Sequence, residues 1–93
     1  MNLTDDQIEQ IKEMAAALMP AGEIALLLGL SNTERDKFVE ICKNHLNSPI
    51  YTAFHNGILQ TKFELRKIII KLAKNGSPAA QPIAEKFLKE HHI

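Results

Sequence analysis

From Pro49 to Lys74 the chain has no second proline, and only Gly57 interrupts an otherwise helix-forming run. Ser48 and Pro49 supply a cap and first turn, while Asn75 and Gly76 supply a stop, so the pattern predicts one helix of about 26 residues, roughly 39 Å long. Such a helix is long for a protein of 93 residues. It sets the class of fold, because nothing elsewhere offers it a sheet to pack on. No alternating apolar run marks a strand, and the Asn56-Gly57 and Asn75-Gly76 pairs stand in helical context. The chain is predicted to be all-α.

The flanking segments read as shorter helices. Thr4 and Gln7 form a capping-box pair, and Ile8, Ile11, Ala15 and Leu18 recur at helical spacing, which predicts a first helix over residues 5–18. Pro20 suits the first turn of a second helix lined by Ile24, Leu27 and Leu28, and Gly29 ends it. Ser31 and Glu34 cap a third helix that turns Phe38, Ile41 and Cys42 inward and dissolves around Asn47. Beyond Gly76, Ser77 and Pro78 restart the chain, and Ile83, Ala84, Phe87 and Leu88 predict an amphipathic helix that folds back as a hairpin. Pro82 opposes a carbonyl four residues back, so it either kinks this helix or delays its start. The expected architecture is a single domain over residues 1–93. A helix-turn-helix-like three-helix module (1–47) is followed by a long-helix antiparallel hairpin (48–93).

Charge is balanced overall but not along the chain. Eleven Lys and Arg face eleven Asp and Glu. Residues 1–47 carry eight acids and four bases, net −4, whereas residues 48–93 carry seven bases and three acids, net +4. That polarity predicts head-to-tail association of copies, or a basic face for an anionic partner. The one cysteine, Cys42, excludes an internal disulfide and a paired-thiolate zinc site, and is expected as a half-buried thiol. No stretch is apolar enough for a membrane span, and the first fifteen residues are too acidic for a signal peptide. The expectation is a cytoplasmic protein with no membrane partner.

Catalytic constellations are missing from the sequence. There is no glycine-rich phosphate loop, no His-Glu-x-x-His run and no spaced Ser-His-Asp set, so no enzyme, cofactor or metal is expected. His91 and His92 read as a solvated tail, and His45 and His55 as surface groups. PAGEIALLLGLS, Pro20 to Ser31, reads instead as the opening of a helix-turn-helix: Ala25 is small where two helices touch, and Gly29, four on, turns the chain. The apolar anchor usual in the following helix falls on Arg35, with Phe38 the first apolar residue after it. A DNA reader and a helical pair packed for stability both fit.

Lys62, Arg66, Lys67, Lys71 and Lys74 recur at three- to five-residue intervals along the long helix. They form a broad basic stripe, either a solvated face or a phosphate-tracking surface. Its other sides hold Tyr51, Phe54, Ile58, Leu65, Ile68 and Leu72, and then Leu59, Phe63, Ile69, Ile70 and Ala73. One short returning helix cannot cover so much apolar surface, which predicts contacts between subunits.

The pair Tyr51-x5-Gly57, the run ELRKIIIKLAKNGSPAA and the spacing Leu-Ala-x-x-Gly-x-x-x-Ala within it resemble the small subunit of tailed-phage and prophage terminases, over about residues 20–90. The resemblance implies a non-catalytic DNA-packaging factor in the cytoplasm of a bacterial host. Such a factor binds double-stranded DNA, assembles as a homo-oligomer and delivers DNA to the terminase large subunit. It implies DNA contacts from Arg35, Lys37, Lys43 and Asn44, beside the basic stripe. It also implies an oligomer core in the hairpin, where Tyr51, Phe54, Ile58, Leu59, Phe63, Ile69 and Ile70 are the candidates. The competing expectation is a helical protein-interaction module with no nucleic-acid role.

Overall fold

The computed structural model describes residues 1–92, and every regular element among them is helical. In order these are α1 (Asp5–Ala16), α2 (Ala21–Leu27), α3 (Asn32–Asn44), α4 (Pro49–Lys74) and α5 (Gln81–Glu90). The bounds of α4 and the start of α3 are those the caps predict, and α3 ends at Asn44, short of the Asn47 expected. No described helix is long and apolar enough to cross a membrane.

Two compact units divide the chain, Met1–Thr61 and Lys62–Ile93. The division falls inside α4 and not at Ser48, because the first turns of α4 complete the core of unit 1. That core comprises Ile11 and Ala15 of α1, Ile24 and Ala25 of α2, Phe38, Ile41 and Cys42 of α3, and Ile50 and Ala53 of α4. Leu3, Ile8, Met14, Leu28, Leu30, Phe54 and Ile58 pack around it. Phe38 is its largest fully buried side chain, whereas Arg35, three positions before it, is half-buried.

Hydrogen bonds at the helix ends explain where unit 1 turns. Thr4 N–H donates to Gln7 Oε1 at 2.8 Å and Gln7 N–H returns to Thr4 Oγ1 at 3.1 Å; Ser31 and Glu34 repeat the box at 3.1 and 3.3 Å. These bonds satisfy amides that no helical carbonyl reaches. Gly29, at φ +76°, closes α2 through Gly29 N–H to Leu26 C=O and Leu30 N–H to Ala25 C=O. The end of α1 uses the same two-bond closure around a leucine: Leu18 sits at φ +63°, with Leu18 N–H on Ala15 C=O and Met19 N–H on Met14 C=O. The first helix therefore stops at Ala16 instead of reaching residue 18, and Leu18 points to solvent instead of continuing the buried row.

Gly57 shows why α4 belongs partly to unit 1. A Cβ there would collide with the Lys12 carbonyl oxygen and come within 2.9 Å of Ala15 Cβ and Ala16 N, so α4 meets the α1 backbone at a point only glycine tolerates. Thr61 Oγ1 donates to the Ala16 carbonyl further along the same contact, supplying one of the orphan acceptors at the end of α1. His55 Nε2 lies 2.8 Å from the Cys42 carbonyl oxygen and does the same for α3, with the Tyr51 ring stacked 4.0 Å from its own. His55 is therefore a packed linker between α3 and α4 and not the surface group expected.

Unit 2 contains the second half of α4, a turn, and α5. Gly76, at φ +90°, ends α4 with Gly76 N–H on Ala73 C=O and Ser77 N–H on Leu72 C=O. Ser77 then accepts from Ala80 N–H and holds a turn over residues 78–80, so α5 starts only at Gln81. Pro82 thus lies in the first turn, where its missing N–H has no helical partner to lose; it delays the helix and does not kink it.

Candidate functional site

The candidate DNA contacts lie in both units. On α3, Lys37, Lys43 and Asn44 are exposed and Arg35 is half-buried. Asn44 Nδ2 donates to Glu40 Oε1 at 2.8 Å, and Asp36 and Glu40 share the exposed side with the lysines, so this helix presents both signs of charge. Glu34, drawn by the Ser31 backbone N–H first and its hydroxyl second, has its carboxyl held below the ordinary value, so it stays charged at the α3 N-terminus.

In unit 2 the basic stripe separates into two sets. Lys67, Lys71 and Lys74 follow one face of α4 at i, i+4 and i+7 and are all exposed. Arg66 lies roughly a third of a turn away on the α5 side. Its guanidinium covers the Phe87 ring at 4.1 Å from the centroid and reaches Glu90 at 3.6 Å. Lys62 is one turn before Arg66 and is exposed. Lys67 Nζ lies 4.6 Å from the centroid of Phe63, which leaves a cation over an exposed aromatic face. Glu64, exposed one turn before Lys67, shares this side, so the lysine face sets three bases against one acid, whereas α3 sets Arg35, Lys37 and Lys43 against Glu34, Asp36 and Glu40.

The candidate subunit-contact residues also separate. Phe54 and Ile58 pack on the unit 1 core and Tyr51 is half-buried against His55, so part of their surface is already used. Leu59, Phe63 and Ile70 are exposed, and Ile69 is half-buried. Leu65, Ile68 and Leu72, spaced i, i+3 and i+7, form a further apolar stripe that is about half exposed along its length. Among the described residues of unit 2 only Ala80 is fully buried.

Some apolar surface escaped the sequence pattern. Leu27, expected to line α2, is 66% exposed and Leu26 is 58% exposed. Ile24, Ala25 and Leu28 take the core side, so the core meets the Ala25 flank of α2 and leaves the opposite flank, with Leu27, in solvent. A seven-residue helix, AGEIALL, with one charged side chain has more apolar groups than two turns can bury, and that excess was the available signal. On α5, Ala84 and Phe87 turn inward while Ile83 and Leu88 face solvent, and an open groove of about 450 Å³ lies among Ile70, Ala73, Ala84, Phe87 and Leu88. Arg66, Lys74, Gln81, Glu85 and His91 complete its lining.

Cys42 is fully buried instead of half-buried, since the α3 face that carries it packs into the core. Burial pushes its thiol up to about 11, so it is protonated at neutral pH and behaves as a small apolar group. Among the described residues no three His, Cys, Asp or Glu side chains gather as a metal site would require. Compared with known proteins, the chain matches no family model, no curated protein and no solved structure.

Proposed function

We propose that this chain is a non-catalytic DNA-binding protein that works as a homo-oligomer, of the kind represented by terminase small subunits. In that role it recognises double-stranded DNA for packaging in a bacterial cytoplasm and passes it to a large subunit. The second half of α4 carries the reading. One of its faces bears Lys67, Lys71 and Lys74, and another bears Leu65, Ile68 and Leu72 without a covering element in unit 2. A helix so divided suits a polyanion on one side and a protein on the other. In this reading α2 and α3 form a helix-turn-helix-like module that adds Arg35, Lys37, Lys43 and Asn44 as contacts, and α4 with α5 forms the hairpin core of the oligomer.

A second reading, a helical interaction module with no nucleic-acid role, is favoured by the acids interleaved with the α3 bases, Glu34, Asp36 and Glu40. Duplex DNA titrated at several salt concentrations separates the two. Phosphate contact predicts binding that weakens steeply as salt rises, with a log–log slope of about −0.9 per contact. Lys67→Glu with Lys71→Glu is expected to reduce affinity at least tenfold and to flatten that slope. Arg35→Glu with Lys37→Glu tests the α3 contribution in the same assay. No binding at low salt overturns the DNA reading and leaves the interaction module.

A further inference from the structure

We propose that copies of this protein join head to tail, the exposed end of α2 in one copy seating in the unit 2 groove of the next. The inference rests on the self-association proposed above and assigns it a contact apart from the Leu65, Ile68 and Leu72 face.

The groove is overwhelmingly apolar and has a volume of about 450 Å³, within the roughly 300–1,000 Å³ of sites that accept bulky apolar groups. Lys74 stands among its lining, and Arg66 there is already paired with Glu90. Glu85 stands in the same lining, so the occupant must be apolar, with any acidic group placed toward Lys74 and away from Glu85. Unit 1 offers such a surface: Leu26 and Leu27 are the exposed large apolar residues of α2, and Glu23 precedes them by three and four positions, on the same side of the helix.

Net charge selects a second copy in this orientation. No ionisable Lys, Arg, Asp or Glu lies between residues 48 and 61, so the division of charge coincides with the division into units: unit 1 is −4 and unit 2 is +4. Two unit 2 surfaces facing one another repel, whereas unit 1 of one copy attracts unit 2 of another. A contact between two different surfaces is heterologous and repeats from copy to copy, unlike a symmetric pairing of grooves.

Two variants test this, followed by sedimentation velocity and light scattering. Leu26→Lys with Leu27→Lys alters only the α2 end, and Ile70→Lys with Leu88→Lys alters only the groove. Circular dichroism checks that both keep their helices. Each variant alone is expected to associate at least tenfold more weakly than the wild type. Mixed, they are expected to form a one-to-one pair that grows no further, because one intact α2 end meets one intact groove.

If the α2 variant assembles as the wild type does, or the mixture forms no pair, the head-to-tail contact is overturned while self-association stands. If the wild type has the mass of one chain at high concentration, the underlying self-association fails as well.

Discussion

Unit 1 and unit 2 are both helical and both rich in apolar side chains, yet one closes a core and the other does not. In unit 1 four helices converge, and Phe38, Ile11, Ile24 and Cys42 are removed from water completely. In unit 2 the ten-residue α5 runs alongside half of α4, and Phe63, Leu65, Ile68, Leu72, Ile83 and Leu88 all stay exposed. A helix that short is marginal in isolation, so packing has to supply what propensity does not. The contrast teaches that amphipathic spacing specifies helices, whereas a closed core requires a third or fourth element to arrive from elsewhere in the chain. The second copy proposed above would cover the groove side of unit 2, Leu88 included, and leave the Leu65, Ile68 and Leu72 stripe outside that contact.

The largest expected effect breaks the comparison at its two phenylalanines. Phe38→Ala should cost about 3–5 kcal/mol in urea unfolding, because it empties a fully enclosed site. Phe87 is half-buried under Arg66, and Phe87→Ala should cost less than about 1.5 kcal/mol in dilute protein, where transfer of partial surface dominates. At high protein concentration the cost of Phe87→Ala should rise, since a partner that covers the groove would bury more of that ring. Equal costs for the two variants in dilute solution would mean that unit 2 closes a core by itself.

Local chemistry accounts for what the sequence made legible. The boxes Thr4/Gln7 and Ser31/Glu34, the Ser48-Pro49 start and the Gly29 and Gly76 ends all act across a few residues, so their letters predict the turns that the backbone makes. Distant partners decide the rest. Whether Leu27 or Ala25 faces inward depends on which side of α2 the core takes, and what Arg66 contacts depends on Phe87 and Glu90, which arrive from α5. The lysines at 67, 71 and 74 were legible as a face because spacing alone places them there, whereas the groove needed two helices to define it.

Gly57 sharpens the comparison from the other direction, through a helix shared by both units. Elsewhere in a helix interior, alanine is about 1 kcal/mol better than glycine. At position 57 the added carbon meets backbone atoms of α1, which cannot rotate aside. The strain of forcing the helices apart should outweigh the propensity gain, and Gly57→Ala is expected to lower stability by about 2 kcal/mol. Gly22 is the control: a Cβ there meets nothing within 4 Å, so Gly22→Ala should be neutral or stabilising by up to about 1 kcal/mol. Thermal unfolding of the two variants side by side reads the difference. A stabilised Gly57→Ala variant would show that the α1–α4 contact is looser than this geometry.

The smallest effect concerns the helix end that, among the described residues, closes in the left-handed conformation without glycine. Gly29 and Gly76 reach the left-handed region with no steric penalty, but Leu18 takes the same conformation, at φ +63°, with a Cβ pressed toward the following carbonyl. The penalty for an L-residue there is about 1–2 kcal/mol, and an exposed leucine recovers little of it by burial. Glycine would also lose more conformational freedom on folding, which offsets part of the gain. Leu18→Gly is therefore expected to stabilise unit 1 by about 0.5–1 kcal/mol, seen as a rise in Tm, while association measured at high concentration stays unchanged. If Leu18→Gly instead raised Tm but weakened association, Leu18 would extend the surface of Leu26 and Leu27 that is proposed to enter the groove.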